Sequence, residues 1–232
     1  MSHAAHLAVV PRPAAGNLPP FDRERAERAV RELLIAVGED PDREGLLDTP
    51  ARVARAYQEL FAGLREDSGV HLARTFEQES EDLVTLGDIE FSSFCEHHLL
   101  PVFGRAHVAY LPSNRRVVGL SKLARTVEVY ARRPQLQERM TAQIADALME
   151  HLDPRGALVV VEAEHMCMRM RGVRKQSPVM RTVAARGVLE SDPRMRLETL
   201  ALLGVAAPEG AGRALPLAPW SAPGRGAVDR LD

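Results

Sequence analysis

Helical periodicity marks the first part of the chain, after an opening segment rich in alanine, proline and glycine. We expect residues 1–20 to be a disordered tail, because this composition offers little to bury. From Asp22 to Val37 the apolar side chains fall three or four positions apart, which predicts a helix. A second helix is predicted from Asp48 to about Gly63, with a proline in its first turn. Residues 21–82 therefore make up a predicted N-terminal helical region.

The pattern changes at Leu83, where strand-like segments appear. Two strands, two helices and two further strands are predicted, with approximate bounds Val84 to Ser93, Arg105 to Leu111, Ser121 to Arg132, Pro134 to Leu152, Leu158 to Met168 and Val179 to Val188. A closing helix is expected from Pro193 to Leu203. This ββααββ order predicts an α+β fold within residues 83–204, in which two helices pack on an antiparallel sheet of four strands. We expect residues 205–232 to be a flexible tail.

The composition is that of an ordinary globular chain. Of its 232 residues 45% are apolar, and the formal charge of −2 gives no reason to expect nucleic acid or a membrane as the main partner. No apolar run approaches the roughly 18 residues of a membrane span. The N-terminus lacks the segments of a signal peptide, so we expect a cytoplasmic protein. A four-stranded sheet leaves edges uncovered, and we expect it to close into a barrel by forming a homo-oligomer.

Two cysteine–histidine pairs stand out. Cys95 and His98 are three positions apart and can face one metal ion from a single turn, a pairing that suits zinc. Cys167 follows His165 by two positions, and in a strand both side chains would point to the same face. Cys95, His98 and Cys167 are therefore predicted to form a three-ligand site whose fourth position is open to water. His97 and His165 would remain beside that water as bases.

These residues have two other interpretations. A lone C-x-x-H pattern also arises from a buried free cysteine and a core histidine. A disulfide between Cys95 and Cys167 is disfavoured, because nothing marks the chain as secreted. Such a disulfide would also leave the neighbouring histidines unexplained. A metal site is the better interpretation.

Basic side chains form a second candidate cluster. Ser121 occupies a predicted N-cap position, Lys122 falls in the first helical turn, and Arg125 lies on the same helix face. Arg169 and Arg171 follow the second cysteine at strand spacing and should share its face. Lys122, Arg125 and Arg171 can converge on a polyphosphate, or they can belong to an ordinary solvated basic face.

Glu138 opens the longer helix. A glutamate near a helix N-terminus is favoured by the helix dipole, and this interpretation needs no ligand. Alternatively, its carboxylate accepts the N1 and N2 protons of a guanine, and two parallel hydrogen bonds to a charged acceptor would discriminate strongly against adenine.

Four motifs in order resemble those of GTP cyclohydrolase I, and the resemblance covers roughly Asp22 to Gly204. They are Cys95-Glu96-His97-His98, Gly119-Leu120-Ser121-Lys122, Arg133-Pro134-Gln135-x-Gln137-Glu138-Arg139 and Glu164-His165-Met166-Cys167-Met168. The resemblance implies a tunnelling fold assembled into a toroidal homodecamer with active sites at subunit interfaces. It also implies conversion of GTP and water into 7,8-dihydroneopterin triphosphate and formate, the first step towards folate and biopterin.

The resemblance also assigns roles to individual residues. The zinc ligands of the family fall on Cys95, His98 and Cys167, and its catalytic histidines fall on His97 and His165. Ser121, which we group with the catalytic residues, matches a residue near the ribose. The predicted substrate contacts are Glu138 and Gln137 at the guanine, and Lys122, Arg125, Arg171 and, further off, Arg52 at the phosphates.

The implied chemistry begins with water that zinc makes nucleophilic and that adds to C8 of guanine. His165 is expected to protonate N7 and His97 to move protons to and from water, and these two roles can be exchanged. The chain departs from the family pattern at Gly87, at Val102 and in the strand around Thr182, where only one threonine is kept. Two alternatives therefore stay open: a diverged enzyme acting on a related purine or pterin, and a non-catalytic GTP-binding protein.

Overall fold

The computed structural model describes residues 18–79 and 81–205, so the predicted tails lie largely outside the described residues. The chain divides into two compact units between Asp67 and Ser68. The domain boundary predicted at residues 82 and 83 stays a prediction.

The first unit contains the two predicted helices. Helix α1 spans Arg23–Ala36 and α2 spans Thr49–Leu60, and a 3₁₀ turn follows at Ala62–Leu64. The side chain of Asp22 caps α1 by accepting the N–H of Arg25, which satisfies one of the unpaired donors of the first turn. The two helices pack against each other.

The second unit carries the mixed part of the fold. Its elements are, in chain order, α3 (Ser68–Leu72), β1 (Thr75–Glu77), β2 (Val84–Cys95), β3 (Pro101–Leu111), β4 (Arg116–Val118), α4 (Leu120–Ala131), β5 (Pro134–Gln135), α5 (Gln137–Leu152), β6 (Gly156–His165), α6 (Met166–Arg169), β7 (Met180–Gly187), α7 (Val188–Ser191) and α8 (Pro193–Leu202). The predicted ββααββ order is therefore present as β2, β3, α4, α5, β6 and β7.

The main sheet has the strand order β5-β2-β3-β6-β7. Strands β2, β3, β6 and β7 pair antiparallel, as predicted. The fifth strand was not predicted: β5 pairs parallel to the end of β2, with Phe94 opposite Pro134 and Cys95 opposite Gln135. Strands β1 and β4 form a separate antiparallel ribbon.

Side chains alternate between two buried faces of the sheet. Helices α4 and α5 pack on one face, where Val108 and Val159 meet Leu123 and Ile144. On the other face, Leu158 packs in a smaller cluster with side chains of α7 and the end of α8. Full burial of each such side chain contributes about 1.5–3 kcal/mol. The sheet is thus held in place between helices, and its strand ends are fixed.

Several predicted element bounds differ from the structure: β3 begins at Pro101 and not at Arg105, and two further differences concern the site. Helix α4 begins at Leu120 and Gly119 is its N-cap, so Ser121 is the second helical residue and does not cap the helix. The residue before this cap is bonded to β3: the hydroxyl of Tyr110 accepts the N–H of Val118 at 3.0 Å. Strand β6 ends at His165 and does not reach Met168.

The altered strand around Thr182 keeps its pairing. All eight residues of β7 pair antiparallel with β6, from Met180 opposite Ala163 to Gly187 opposite Gly156. The loss of the other threonines therefore leaves the hydrogen-bond ladder intact. Among residues 18–79 and 81–205, no helix has both the length and the apolar content that crossing a membrane requires.

Candidate metal centre and active site

The structure brings the three predicted metal ligands together. One ligand atom from each of Cys95, His98 and Cys167 lies within 4.8 Å of the others. Cys95 ends β2, and the chain turns immediately afterwards: the N–H of Leu99 bonds the carbonyl of Cys95 at 2.8 Å. This turn carries His98 back over Cys95, so that Nδ1 of His98 lies 4.0 Å from the sulfur. Two thiols and one imidazole are a donor set that fits zinc.

Cys167 reaches the site by a route that differs from the prediction. Strand β6 has a partner only as far as His165, which pairs with Val102 near the start of β3. Beyond that point no strand continues the ladder, and the chain forms the single turn of α6, which contains Cys167. The prediction that His165 and Cys167 share a strand face is therefore wrong, although the ligand cluster forms.

Burial and the neighbouring Cys95 sulfur raise the pKa of the Cys167 thiol, and Arg171 opposes this shift. Two sulfurs this close disfavour two thiolate charges, unless a cation lies between them. A divalent cation favours the thiolate form of its ligands, so the pair suits a metal better than two solvated thiols.

The two arginines that follow Cys167 do not share its face, contrary to the prediction. Arg169 forms an ion pair with Glu164, and both side chains are largely buried. Arg171 is exposed and its Nη1 lies 3.1 Å from Nε2 of His98. Because β6 ends at His165 and not at Met168, only one of these two arginines, Arg171, lies at the ligand cluster.

A cleft of about 340 Å³ opens beside the cluster. Cys95, Cys167, His97, His165 and Glu138 all line it, together with residues of the segment before α5 and of the start of β7. His97 is exposed, and its Nδ1 lies 3.9 Å from the sulfur of Cys95. Both predicted catalytic histidines therefore border the same space as two of the predicted metal ligands, Cys95 and Cys167.

His165 is held by a buried glutamine. Its Nε2 lies 2.8 Å from Oε1 of Gln137. Burial lowers the pKa of His165 below its ordinary value, and the carboxylate of Glu138 partly counteracts this. An imidazole whose pKa is below the ordinary 6.5 is mainly neutral at pH 7, which suits a group that exchanges protons with a substrate.

Glu138 lies exposed in the first turn of α5. Its carboxylate makes no hydrogen bond to any residue that the structure describes. It lines the cleft and also a neighbouring cavity of about 520 Å³ along β7. The carboxylate is therefore available to a ligand that enters from the cleft.

The comparison with known proteins agrees with this geometry. The sequence model of the family described as GTP cyclohydrolase I matches residues 26–204, which is more than half of the chain. The chain belongs to the GTP cyclohydrolase I family. The resemblance seen in the four motifs is thereby confirmed.

Curated members of the GTP cyclohydrolase I family are similar over nearly their whole length. The GTP cyclohydrolase 1 of Carboxydothermus hydrogenoformans is 59% identical over 187 residues, covering 81% of this chain and 97% of that protein. The GTP cyclohydrolase 1 of Mycolicibacterium gilvum is 60% identical, covering 80% of this chain and 92% of that protein. The GTP cyclohydrolase 1 of a Geobacillus species is 58% identical, covering 80% of this chain and 99% of that protein.

One contact in this GTP cyclohydrolase I family member was missed by the sequence reasoning. Arg139 forms a bidentate ion pair with Glu96, with distances of 2.7 and 2.8 Å. The N–H of Glu96 also bonds the carbonyl of Gln135 at 3.1 Å. The turn that carries the metal ligands is thereby joined to the start of α5. Both residues stood in the family motifs, but their pairing across 43 positions left no local signal.

The predicted phosphate contacts lie in three separate parts of the chain. Lys122 is half-buried and Arg125 is exposed, both in the first turns of α4, next to the exposed Ser121. Arg171 follows α6. Arg52 lies in α2 of the first unit, where it pairs with Asp48 at 2.9 Å. The convergence of these residues on a triphosphate stays a prediction.

Proposed function

We propose that the chain is a zinc-dependent GTP cyclohydrolase I, which converts GTP and one water into 7,8-dihydroneopterin triphosphate and formate. The observation that supports this most is the cleft beside the Cys-His-Cys cluster, which is lined by both cysteines, by two further histidines and by the carboxylate of Glu138. Family membership supplies the reaction class.

In this proposal, Cys95, His98 and Cys167 hold the metal. Bound there, zinc would supply the Lewis acidity that makes water a nucleophile near neutral pH. Two of the three, Cys95 and Cys167, line the cleft, so the metal would border the space that the substrate enters. Cys167→Ala is therefore expected to remove both metal and activity.

The remaining residues bind and orient the nucleotide. Glu138 accepts hydrogen bonds from N1 and N2 of guanine, which directs C8 and N7 towards the two histidines. His97 and His165 carry protons between water, N7 and the leaving amine as the ring opens and formate departs. Ser121 bonds the ribose, and Lys122, Arg125 and Arg171 hold the triphosphate while the opened sugar rearranges and closes the pterin ring.

The proposal includes assembly as a tunnelling fold into a toroidal decamer. Strand β7 is the edge of the main sheet, and its Val183 is 54% exposed. An exposed edge with an apolar side chain suits pairing with another copy of the chain. Light scattering on the purified protein measures the subunit number, and a monomer at micromolar concentration would contradict this part of the proposal.

The activity is tested by incubating metal-analysed protein with GTP and following formate and the pterin chromophore together. Cys167→Ala should lose both products, whereas Met168→Ala, a change at the next residue in the same cleft, should keep most of the activity. Formate without pterin would identify a diverged enzyme that opens the ring but does not reclose it. Neither product, from protein that holds about one metal ion per chain, would overturn the proposal.

A further inference from the structure

We propose that Gln137 is a positioning residue that fixes the tautomer of His165, and that it does not act by contacting the guanine. The catalytic role of Gln137 rests on the proposed function. The tautomer of His165 is inferred from the hydrogen bonds around Gln137 alone. The side chain is 5% exposed, and both ends of its amide contact protein groups.

The orientation of the amide is determined by its neighbours. Nε2 of Gln137 lies 3.0 Å from the carbonyl of Val161, 3.0 Å from the carbonyl of Met180 and 3.2 Å from the hydroxyl of Thr182. Backbone carbonyls can only accept hydrogen bonds, so the atom that faces two of them must be the NH₂ group. The reversed amide would put an oxygen against two carbonyl oxygens. Oε1 therefore points to His165.

A chain of hydroxyl groups supports the same orientation. The hydroxyl of Thr141 donates to the carbonyl of Gln137 at 2.7 Å. It lies 2.6 Å from the hydroxyl of Thr182, which must then be the donor of that pair. With its hydrogen used, the oxygen of Thr182 accepts from Nε2 of Gln137. The single threonine kept in β7 thus has a defined part in holding the glutamine.

The consequence for His165 follows from the same logic. Oε1 of an amide can only accept, so Nε2 of His165, at 2.8 Å, must carry a proton. In the neutral imidazole, Nδ1 then holds the lone pair. Among the described residues, Gln137 is the one hydrogen-bond partner of the His165 ring. Nδ1 is therefore the ring nitrogen left for proton exchange.

This tautomer defines which ring atom of His165 serves the reaction. Because Nε2 is engaged with Gln137, any proton that His165 exchanges with water or with the substrate passes through Nδ1. His97 lines the same cleft and is the second group that can exchange protons there.

The decisive variant is Gln137→Met, which keeps the length and the apolar stem but removes the acceptor. We expect kcat to fall at least about tenfold, because proton transfer contributes about 10²–10⁴ to such rates. We expect KM for GTP and the zinc content to change less than about twofold. Thr182→Val is the milder control: it leaves both carbonyl acceptors, so Oε1 still faces His165 and the tautomer should be kept.

The tautomer itself is read by ¹⁵N solid-state NMR of the zinc-loaded, ¹⁵N-histidine-labelled protein, with the His165 signal assigned by its loss in His165→Asn. Wild type and Thr182→Val should show Nε2 protonated, and Gln137→Met should show a mixture. A wild-type ring protonated at Nδ1 would overturn the proposal. A raised KM with an unchanged tautomer in Gln137→Met would also overturn it, in favour of substrate contact. The NMR result does not need turnover, so it is independent of whether GTP is the substrate.

Discussion

The guanidinium of Arg139 and the carboxylate of Glu96 form two parallel hydrogen bonds between neighbouring segments of the site. Glu96 lies between the metal ligands of the turn after β2, and Arg139 lies in the first turn of α5, next to Glu138. The ion pair therefore links the residues proposed to hold the metal to the residue proposed to hold the guanine. Glu96 also raises the pKa of Arg139, so the arginine stays charged.

Removal of this pair should reduce catalysis more than stability. The side chains of Arg139 and Glu96 are 40% and 29% exposed, so we expect Glu96→Ala to cost only about 1 kcal/mol of unfolding free energy. Catalysis depends on the relative position of the two segments, and kcat/KM for GTP should fall about tenfold or more. Steady-state kinetics and urea unfolding measure the two effects.

The matched control is the ion pair of Arg132 and Glu128, with a distance of 2.7 Å and exposures of 39% and 35%. Glu128→Ala should have a similar effect on stability and little on kcat/KM. The double variant Glu96→Arg, Arg139→Glu should recover part of the lost activity. Equal losses of activity in Glu96→Ala and Glu128→Ala would contradict a positioning role.

Zinc should stabilise the protein through the ligand cluster. A ligand that binds only the folded state adds about 2.7 kcal/mol at a concentration one hundred times its Kd. After treatment with a chelator, added zinc should therefore raise Tm in the wild type and have little effect in His98→Ala. His151→Ala, at the far end of α5, should respond like the wild type. An equal rise of Tm in His98→Ala would show that zinc does not bind at the cluster.

Glu138→Gln should weaken recognition of the guanine. Hydrogen bonds to a charged group contribute about 1.5–3 kcal/mol, so kcat/KM for GTP should fall by a factor of about 10 to 100. Preference for GTP over inosine triphosphate, which lacks the N2 amine, should largely disappear. The control is Glu190→Gln, a change in the cavity along β7 that Glu138 also borders. Unchanged discrimination in Glu138→Gln would disprove the guanine contact.

Tyr110 should make stability fall at alkaline pH. Burial raises its pKa above the ordinary value of 10.0, and the hydrogen bond from Val118 opposes the shift. Above pH 10 the unfolded chain loses this proton while the folded chain keeps it, so the free energy of unfolding falls as the pH rises towards the folded-state pKa. Urea unfolding between pH 8 and 11 measures the slope.

Tyr110→Phe removes this titration and should flatten the alkaline slope. It should also cost about 1–3 kcal/mol at pH 8, because the buried N–H of Val118 loses its acceptor. Since Val118 precedes α4, which carries the predicted phosphate contacts, kcat/KM at pH 8 should fall as well. An identical alkaline slope in the two proteins would show that another group is responsible.

Local patterns were sufficient for much of the fold. The apolar spacing predicted α1 to within a residue, and β7 and α8 were placed equally well. These elements depend on residues that are neighbours in the sequence. The ligand cluster joins residues that are distant in the sequence, and it could be proposed because the two cysteines each lie close to a histidine.

The errors concern features that depend on distant residues. The apolar sequence after His165 continues like a strand, but β3 begins at Pro101 and offers no partner beyond His165. Strand β5 consists only of Pro134 and Gln135. So short a segment carries no strand signal in the sequence, and it was not predicted. That Gln137 contacts the substrate stays a prediction, and its buried hydrogen bonds to β6 and β7 could not be read from the motif.

The parallel pairing of β5 with the end of β2 restricts where the chain can change length. One residue inserted between α4 and α5 would shift the register of β5 and move Gln137 and Glu138 away from the metal turn. The short segment between the two helices should therefore keep its length in any engineered version of the enzyme.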